Sequence, residues 1–267
     1  MSAIGNRNRL TPLTRLIRPL PALLALGAFL GAWELYVDLG GVDPLVLPAP
    51  HAVASALYTD RGLLWSNLQT TAGEILAGIA LAISIAFVLS VTIHLSRTAR
   101  RALLPLLIAS QTLPIVIVAP LLILWLGFTF VPRLLVISLV AFFPLVVTTL
   151  DALDAVDPDM LKLMRTFDAS RLRTFRHIEL PAVLPGLFTG AKLAAVFSVI
   201  GAVFAEQAGA THGLGYLLTI AINQFLVPEA WAAVTVLSMF AIALYALFTL
   251  LERRVVPWAH QSKGEPA

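Results

Sequence analysis

Six stretches of the chain are too long and too apolar to be at home in water. They cover about 20–37, 72–93, 103–126, 134–150, 187–205 and 231–251, each at least 17 residues. An α-helix rises about 1.5 Å per residue, so a run of roughly 20 residues matches a hydrocarbon core roughly 30 Å thick. Lipid offers no partner to an unpaired backbone N–H or C=O, so each stretch is read as a helix. Only 12% of the 267 residues are charged, about half the roughly 25% usual for a soluble domain. Mean hydropathy is +0.90. The expectation is an all-α membrane protein, a single domain over 1–267 with about six transmembrane helices surrounded by lipid.

Lysine and arginine set the orientation, because they gather on the cytoplasmic side of membrane proteins. With the N-terminus inside, the inner segments are a tail over 1–19, the connection after the second stretch, a loop over 151–186 and the C-terminal tail. These hold 15 basic residues, whereas the outer segments hold only Arg61 and Arg133. Both termini are therefore expected in the cytoplasm. The same bias accounts for a net charge of +3 and a pI near 9.6 without invoking nucleic acid. Arg7, Arg9, Arg15 and Arg18 precede the first stretch, but no small-residue cleavage site follows, so a retained helix is expected rather than a signal peptide. There are no cysteines, which excludes disulfides and thiolate chemistry.

Several residues are candidates for function. The third stretch carries Pro105, Pro114 and Pro120; proline inside a span kinks it, and freed carbonyls are tolerated beside other protein or a water path. Either a pathway helix or a plain structural kink fits. Gln111 in the same run needs a hydrogen-bond partner. The fourth stretch has Phe142 and Phe143–Pro144, and the fifth has Gly190, Ala194, Ser198 and Gly201, small enough for close helix approach. A translocation path over Gln111, Pro114, Phe142, Ser198 and Glu206 is the expectation; simple bundle packing is the alternative. Glu34 and Glu74 lie near the outer ends of spans, where an interfacial role is expected. Lys192 is expected to snorkel to the cytoplasmic face. Glu206 either shapes an external gate or caps a helix. His51, His94, His177, His212 and His260 show no metal-ligand spacing, so no metal site is expected. No catalytic motif appears, and no G-x-x-x-x-G-K-[ST] phosphate loop.

The loop over 151–186 is longer than a connection needs. Asp157–Pro158 has the form of a helix start. A short helix is expected to about Phe167, a break at Asp168, Ala169 and Ser170, and a second helix from Ser170 to about His177, stopped by Pro181 and Pro185 before the next span. Its Arg171, Arg173 and Arg176 alternate with Leu172 and Phe175. On residues alone this basic amphipathic helix is a solvated face or a lipid-surface helix.

The loop resembles the EAA loop of ABC importer permeases. Asp168 stands where the family has glycine, nine residues follow, and Ile178, Glu179, Leu180 and Pro181 then match the I-x-L-P end. Lys162, Leu163 and Met164 replace the E-A-A element, and Asp tolerates the left-handed turn that glycine would make. Leu47-Pro48-Ala49-Pro50, Gln111-Thr112-Leu113-Pro114, Ala119-Pro120-Leu121, Leu124-Trp125-Leu126-Gly127, Phe142-Phe143-Pro144, Ala205-Glu206 and Gly213-Leu214-Gly215 are similar to the nitrate, sulfonate, taurine and thiamine-precursor branch. Met164 to Ser170 look most like permeases for the hydroxymethylpyrimidine precursor of thiamine. The resemblance implies a type I importer fold in a bacterial inner membrane, a second permease copy, an ABC ATPase dimer and an extracytoplasmic binding protein. It implies no cofactor here, ATP being bound by the ATPase. Arg165, Asp168, Ala169, Ser170, Arg171, Leu172, Phe175, Ile178, Leu180 and Pro181 would dock that ATPase. Nitrate, taurine or an alkanesulfonate are alternative solutes, and an ion-coupled carrier is the more distant alternative.

Overall fold

A computed structural model of the chain describes residues 20–260, with the side chains of 20–258. The tail over 1–19 and Lys263 lie outside the described residues. The elements are α1 (Leu20–Gly40), α2 (Pro50–Thr59), α3 (Arg61–Leu95), α4 (Arg97–Ser110), α5 (Ile115–Leu126), α6 (Phe130–Asp154), α7 (Pro158–Thr166), α8 (Arg171–Thr174), α9 (Leu180–Gly209), α10 (Leu214–Asn223) and α11 (Val227–Val255). Among the described residues there is no strand. Five helices are long and apolar enough to cross a membrane, and six spans result if the bent pair α4–α5 counts as one. The all-α membrane architecture is as expected.

Helix α6 is the centre of the bundle, packed against α3 on one side and α9 on the other. Small residues allow this. A Cβ on Gly190 of α9 would lie 2.9 Å from Leu145 Cα and 3.2 Å from the Pro144 carbonyl oxygen of α6. Ser138 of α6 donates to the Gly78 carbonyl of α3 at 3.0 Å. Ala82, Ala86, Ala141, Leu145, Ala191 and Ala194 fill the core between the three helices. The backbone has no room to move aside at Gly190, so Gly190→Ala is expected to cost about 1–3 kcal/mol by overpacking. Gly73→Ala, with nothing within 4 Å, should be neutral or stabilising. Unfolding of the two variants in mixed micelles checks the contrast. Helix α1 is exposed to the surroundings except at Val37, which is buried, and at Trp33 and Glu34, which are half-buried; it meets the bundle through Trp33, whose ring centroid lies 5.1 Å from that of Trp231.

The structure corrects three expectations and also defines the connection after α1. The third apolar stretch is not one straight span: α4 and α5 meet at 99° across residues 111–114. Pro114 has no N–H and disfavours helix in the residue before it, so the ladder ends there. The outer connection is largely helical, because Pro50 opens α2 in the first turn, where proline is tolerated, and α3 already starts at Arg61. Pro181 and Pro185 do not stop the second loop helix. A π turn over Phe175–Glu179 supplies the extra residue, and residues 171–209 form one helical rod. Lys192 does not snorkel to the surface: its Nζ donates to Glu252 of α11 at 2.8 Å, with only 16% and 10% of the two side chains exposed. Helix α10 was unforeseen, its ten residues being too few for a span.

Candidate coupling surface and translocation cavity

Helix α7 begins as read: the Asp157 carboxylate accepts from Asp159 N at 2.8 Å, satisfying one of the amides a helix start leaves free. It ends at Thr166, and Asp168 takes φ +50°. In that left-handed turn Ala169 N returns to the Met164 carbonyl at 3.0 Å, closing the helix end. Ser170 then accepts from Arg173 N at 3.4 Å and starts α8.

This loop is tied to the spans at several points. Arg171 donates to the Leu95 carbonyl at the end of α3, 3.1 Å away. His94 of α3 lies 3.5 Å from Glu179 and 3.9 Å from Asp154. Asp154 in turn accepts from both terminal nitrogens of Arg100, at 3.0 and 2.6 Å. A cleft of about 360 Å³ lies among His94, Leu161, Arg165, Ala169, Arg171, Thr174 and Glu179. These contacts link the loop to the end of α3, and through His94 and Asp154 to α6 and α4.

The expected docking residues divide into two groups. Leu172 is 76% exposed, and Arg165, Asp168, Ser170 and Arg171 are exposed too, whereas Ala169, Phe175, Ile178, Leu180 and Pro181 are half-buried at the root of α9. Sequence reasoning passed over three residues beside Leu172. Met160, Leu163 and Phe167 are 49%, 50% and 71% exposed. Their spacing of three and four residues puts them on one helical face, a signal that was available. With Leu172 they make four exposed large apolar side chains on one polar loop, and exposed apolar surface of this kind can mark a protein contact.

A second hollow, about 240 Å³, opens beside the α4–α5 bend among Ser110, Gln111, Leu113, Ile115, Leu139, Val140 and Phe197. The Gln111 amide is exposed there and donates to Ser110 Oγ at 3.3 Å. Pro114 forms the bend. Phe142 does not line the hollow; it packs on the Ala82, Leu145 and Ala194 core. Ser198 is fully buried and donates to the Ala195 carbonyl at 2.9 Å. Its neighbour Phe197 is the α9 residue that faces the hollow. No residue lining the hollow is charged.

The acidic groups in and beside the spans meet specific partners. Glu74, 2% exposed, meets Arg133 of α6 at 2.5 Å; this buries a group expected at the interface. Glu206, 1% exposed, accepts from Thr71 Oγ1 and from Gly215 N, each at 2.6 Å. Glu34 contacts His51 Nδ1, and with Asp38 their ligand atoms fall within 4.8 Å of one another. The Glu34 hydrogen bond raises the His51 imidazole above its usual pKa. The histidine spacing held no hint of this, since His51 meets its partners from another helix.

The model of a binding-protein-dependent transport system inner membrane component matches residues 74–261. A probable ABC transporter permease protein of Haemophilus influenzae is 33% identical over 240 residues, 90% of this chain and 98% of its own. The formylaminopyrimidine transport permease protein ThiX of Halalkalibacterium halodurans is 33% identical over 85% of this chain and 90% of its own. The riboflavin transport system permease protein RibX of Chloroflexus aurantiacus is 34% identical over 85% of each. These relatives are transport proteins by name. The chain belongs to the family of binding-protein-dependent transport system inner membrane components, the permeases of ABC importers.

Proposed function

We propose that the chain is the transmembrane permease subunit of an ATP-driven importer in a bacterial inner membrane. Two copies would enclose the path, an ABC ATPase dimer would bind ATP beneath them, and an extracytoplasmic binding protein would deliver the solute. The observation that carries this reading is the loop α7–α8. Met160, Leu163, Phe167 and Leu172 project from it, while Arg171 and Glu179 tie it to the ends of the spans. An ATPase seated on that patch would pull on α3 and α9 when it closes. The basic residues Arg97, Arg100, Arg101, Arg171, Arg173, Arg176, Arg253 and Arg254 favour a cytoplasmic location for this end and for both termini.

For the solute we favour a small uncharged ring, such as a pyrimidine precursor of thiamine. The hollow at Gln111 offers one amide, aromatic and aliphatic walls, and no charged lining residue. An anion such as nitrate, taurine's sulfonate or an alkanesulfonate would call for a cation there. The relative named for formylaminopyrimidine supports the same reading.

The test uses the native lack of cysteine. Gln111→Cys and Phe197→Cys, reconstituted with the ATPase and binding protein, are expected to react with a small polar thiol reagent in the nucleotide-free complex and to change reactivity when ATP binds. Ser198→Cys should stay protected. If positions 111, 142, 197 and 198 are all unreactive in both states, the path lies elsewhere.

A further inference from the structure

The start of α10 is buried, and its amides are satisfied from two other helices. Gly213, Leu214 and Gly215 are buried, and the first amides of a helix have no partner within it. Asn67 Oδ1 accepts from Gly213 N at 2.7 Å. Thr71 Oγ1 accepts from Leu214 N at 2.8 Å. Glu206 Oε2 accepts from Gly215 N at 2.6 Å. The Thr71 hydroxyl is hydrogen-bonded to Glu206 Oε1 at 2.6 Å and also reaches the Asn67 backbone carbonyl at 3.2 Å, so one connected network spans α3, α9 and α10. Asn67, Thr71 and Glu206 are themselves 7%, 0% and 1% exposed.

The chemistry of each contact is directional. Gly215 N donates to Glu206 Oε2, so the site requires an acceptor oxygen there. Among the described residues no basic side chain pairs with Glu206; Arg133 is engaged by Glu74. The buried carboxyl group instead meets an amide at a helix start, where the helix field favours an anion. The glycines follow from the same approach. Gly213 has φ +119°, and a Cβ there would lie 2.5 Å from Glu206 Oε1. A Cβ on Gly215 would lie 3.0 Å from Oε2.

Helix α10 matters because of where it is held. Leu214 is fully buried in a cluster with Ala56, Leu64, Ala232, Ala233 and Leu237. Farther along, Leu218 walls an apolar hollow with Val196 and Ile200 of α9, on the helix whose Phe197 lines the hollow at Gln111. We infer that Glu206 is a positioning residue for transport: with Asn67 and Thr71 it clamps the start of α10 to α3 and α9, so that this short helix moves as one body with the helix that walls the path. The inference rests on the permease reading and gives Glu206 a role through α10 rather than through contact with solute.

The experiment compares Thr71→Val, Thr71→Ser and Glu206→Gln in the full complex in nanodiscs. Hydrogen exchange is followed over 213–217, the mobility of a spin label on Gln224→Cys is recorded, and ATP-driven uptake is measured in proteoliposomes. Thr71→Val leaves Leu214 N and a Glu206 oxygen unpaired, and Glu206→Gln turns an amide nitrogen toward a donor. Both are expected to speed exchange over 213–217 by roughly tenfold or more, to loosen the label and to cut uptake severalfold. Thr71→Ser keeps the hydroxyl and should match the parent in all three. Should Glu206→Gln fail to accumulate, Thr71→Val against Thr71→Ser decides. The clamp is overturned if Thr71→Val leaves exchange and label mobility at parental values, or loosens α10 without affecting uptake. Exchange and mobility need no transport, so failure of the clamp is distinguishable from failure of the permease reading, which would appear as absent uptake by the parent.

Discussion

Replacing Leu172 with Asp is expected to weaken binding of the ATPase partner by about 30- to 700-fold, corresponding to about 2–4 kcal/mol at 1.4 kcal/mol per tenfold. Leu172 is 76% exposed and stands with Phe167, 71% exposed, beyond the ends of the spans. An apolar group that folding leaves in water gains when a partner covers it, and an Asp at the centre of such a patch would be desolvated without a counter-charge. The loop itself should survive, because its turn and its ties depend on Asp168, Ser170, Arg171 and Glu179 rather than on this side chain. Membrane insertion should be unchanged. The measurement is ATPase affinity for the nanodisc-embedded permease, with Phe167→Asp as a second variant. Parental affinity in both variants would show that the ATPase seats elsewhere. Phe175→Ala should have the smaller effect on docking and the larger one on stability, since Phe175 is half-buried in the π turn.

Lys192→Met is expected to destabilise the bundle by about 3–5 kcal/mol, because it leaves the Glu252 carboxylate buried without its cation. The two groups join α9 to α11 at 2.8 Å, and Lys192 lies within an otherwise apolar span. Glu252→Met alone should cost a similar amount. Replacing both by Met removes the uncompensated charge, so the double variant should recover most of the loss, as apolar replacements of buried pairs often do. The coupling is read from a double-mutant cycle of unfolding in mixed micelles. Additive losses in the double variant would mean that the two side chains do not act as a pair. Glu74 and Arg133 join α3 to α6 in the same manner.

The coupling loop was readable because its signals are local. Asp157–Pro158 needs only its neighbours to start a helix, and the Asp168 turn needs only a residue that tolerates positive φ. The apolar stripe of Met160, Leu163 and Phe167 was equally local and was passed over in favour of the motif beside it. The cavity was half readable. Proline and glutamine in one apolar run drew attention to residues 111–114, where α4 and α5 meet at 99°. Which of Phe197 and Ser198 faces the opening depends on the rotation of α9 against α6, and both residues fit an apolar span equally well.

The helical type of the spans, their approximate number and the outline of the loop over 151–186 were determined by the sequence itself, because lipid and the backbone ladder impose them on any chain so composed. The tertiary structure decided the rest. The pairing of Lys192 with Glu252, of Glu74 with Arg133, and of Asn67, Thr71 and Glu206 with the start of α10 joins residues as far as 146 positions apart. Continuity of the rod through Pro181 required a π turn whose cost depends on what packs around it. No periodicity records such contacts. They form only when close helix approach brings buried polar groups together, and burial then leaves each of them little choice but to find its partner.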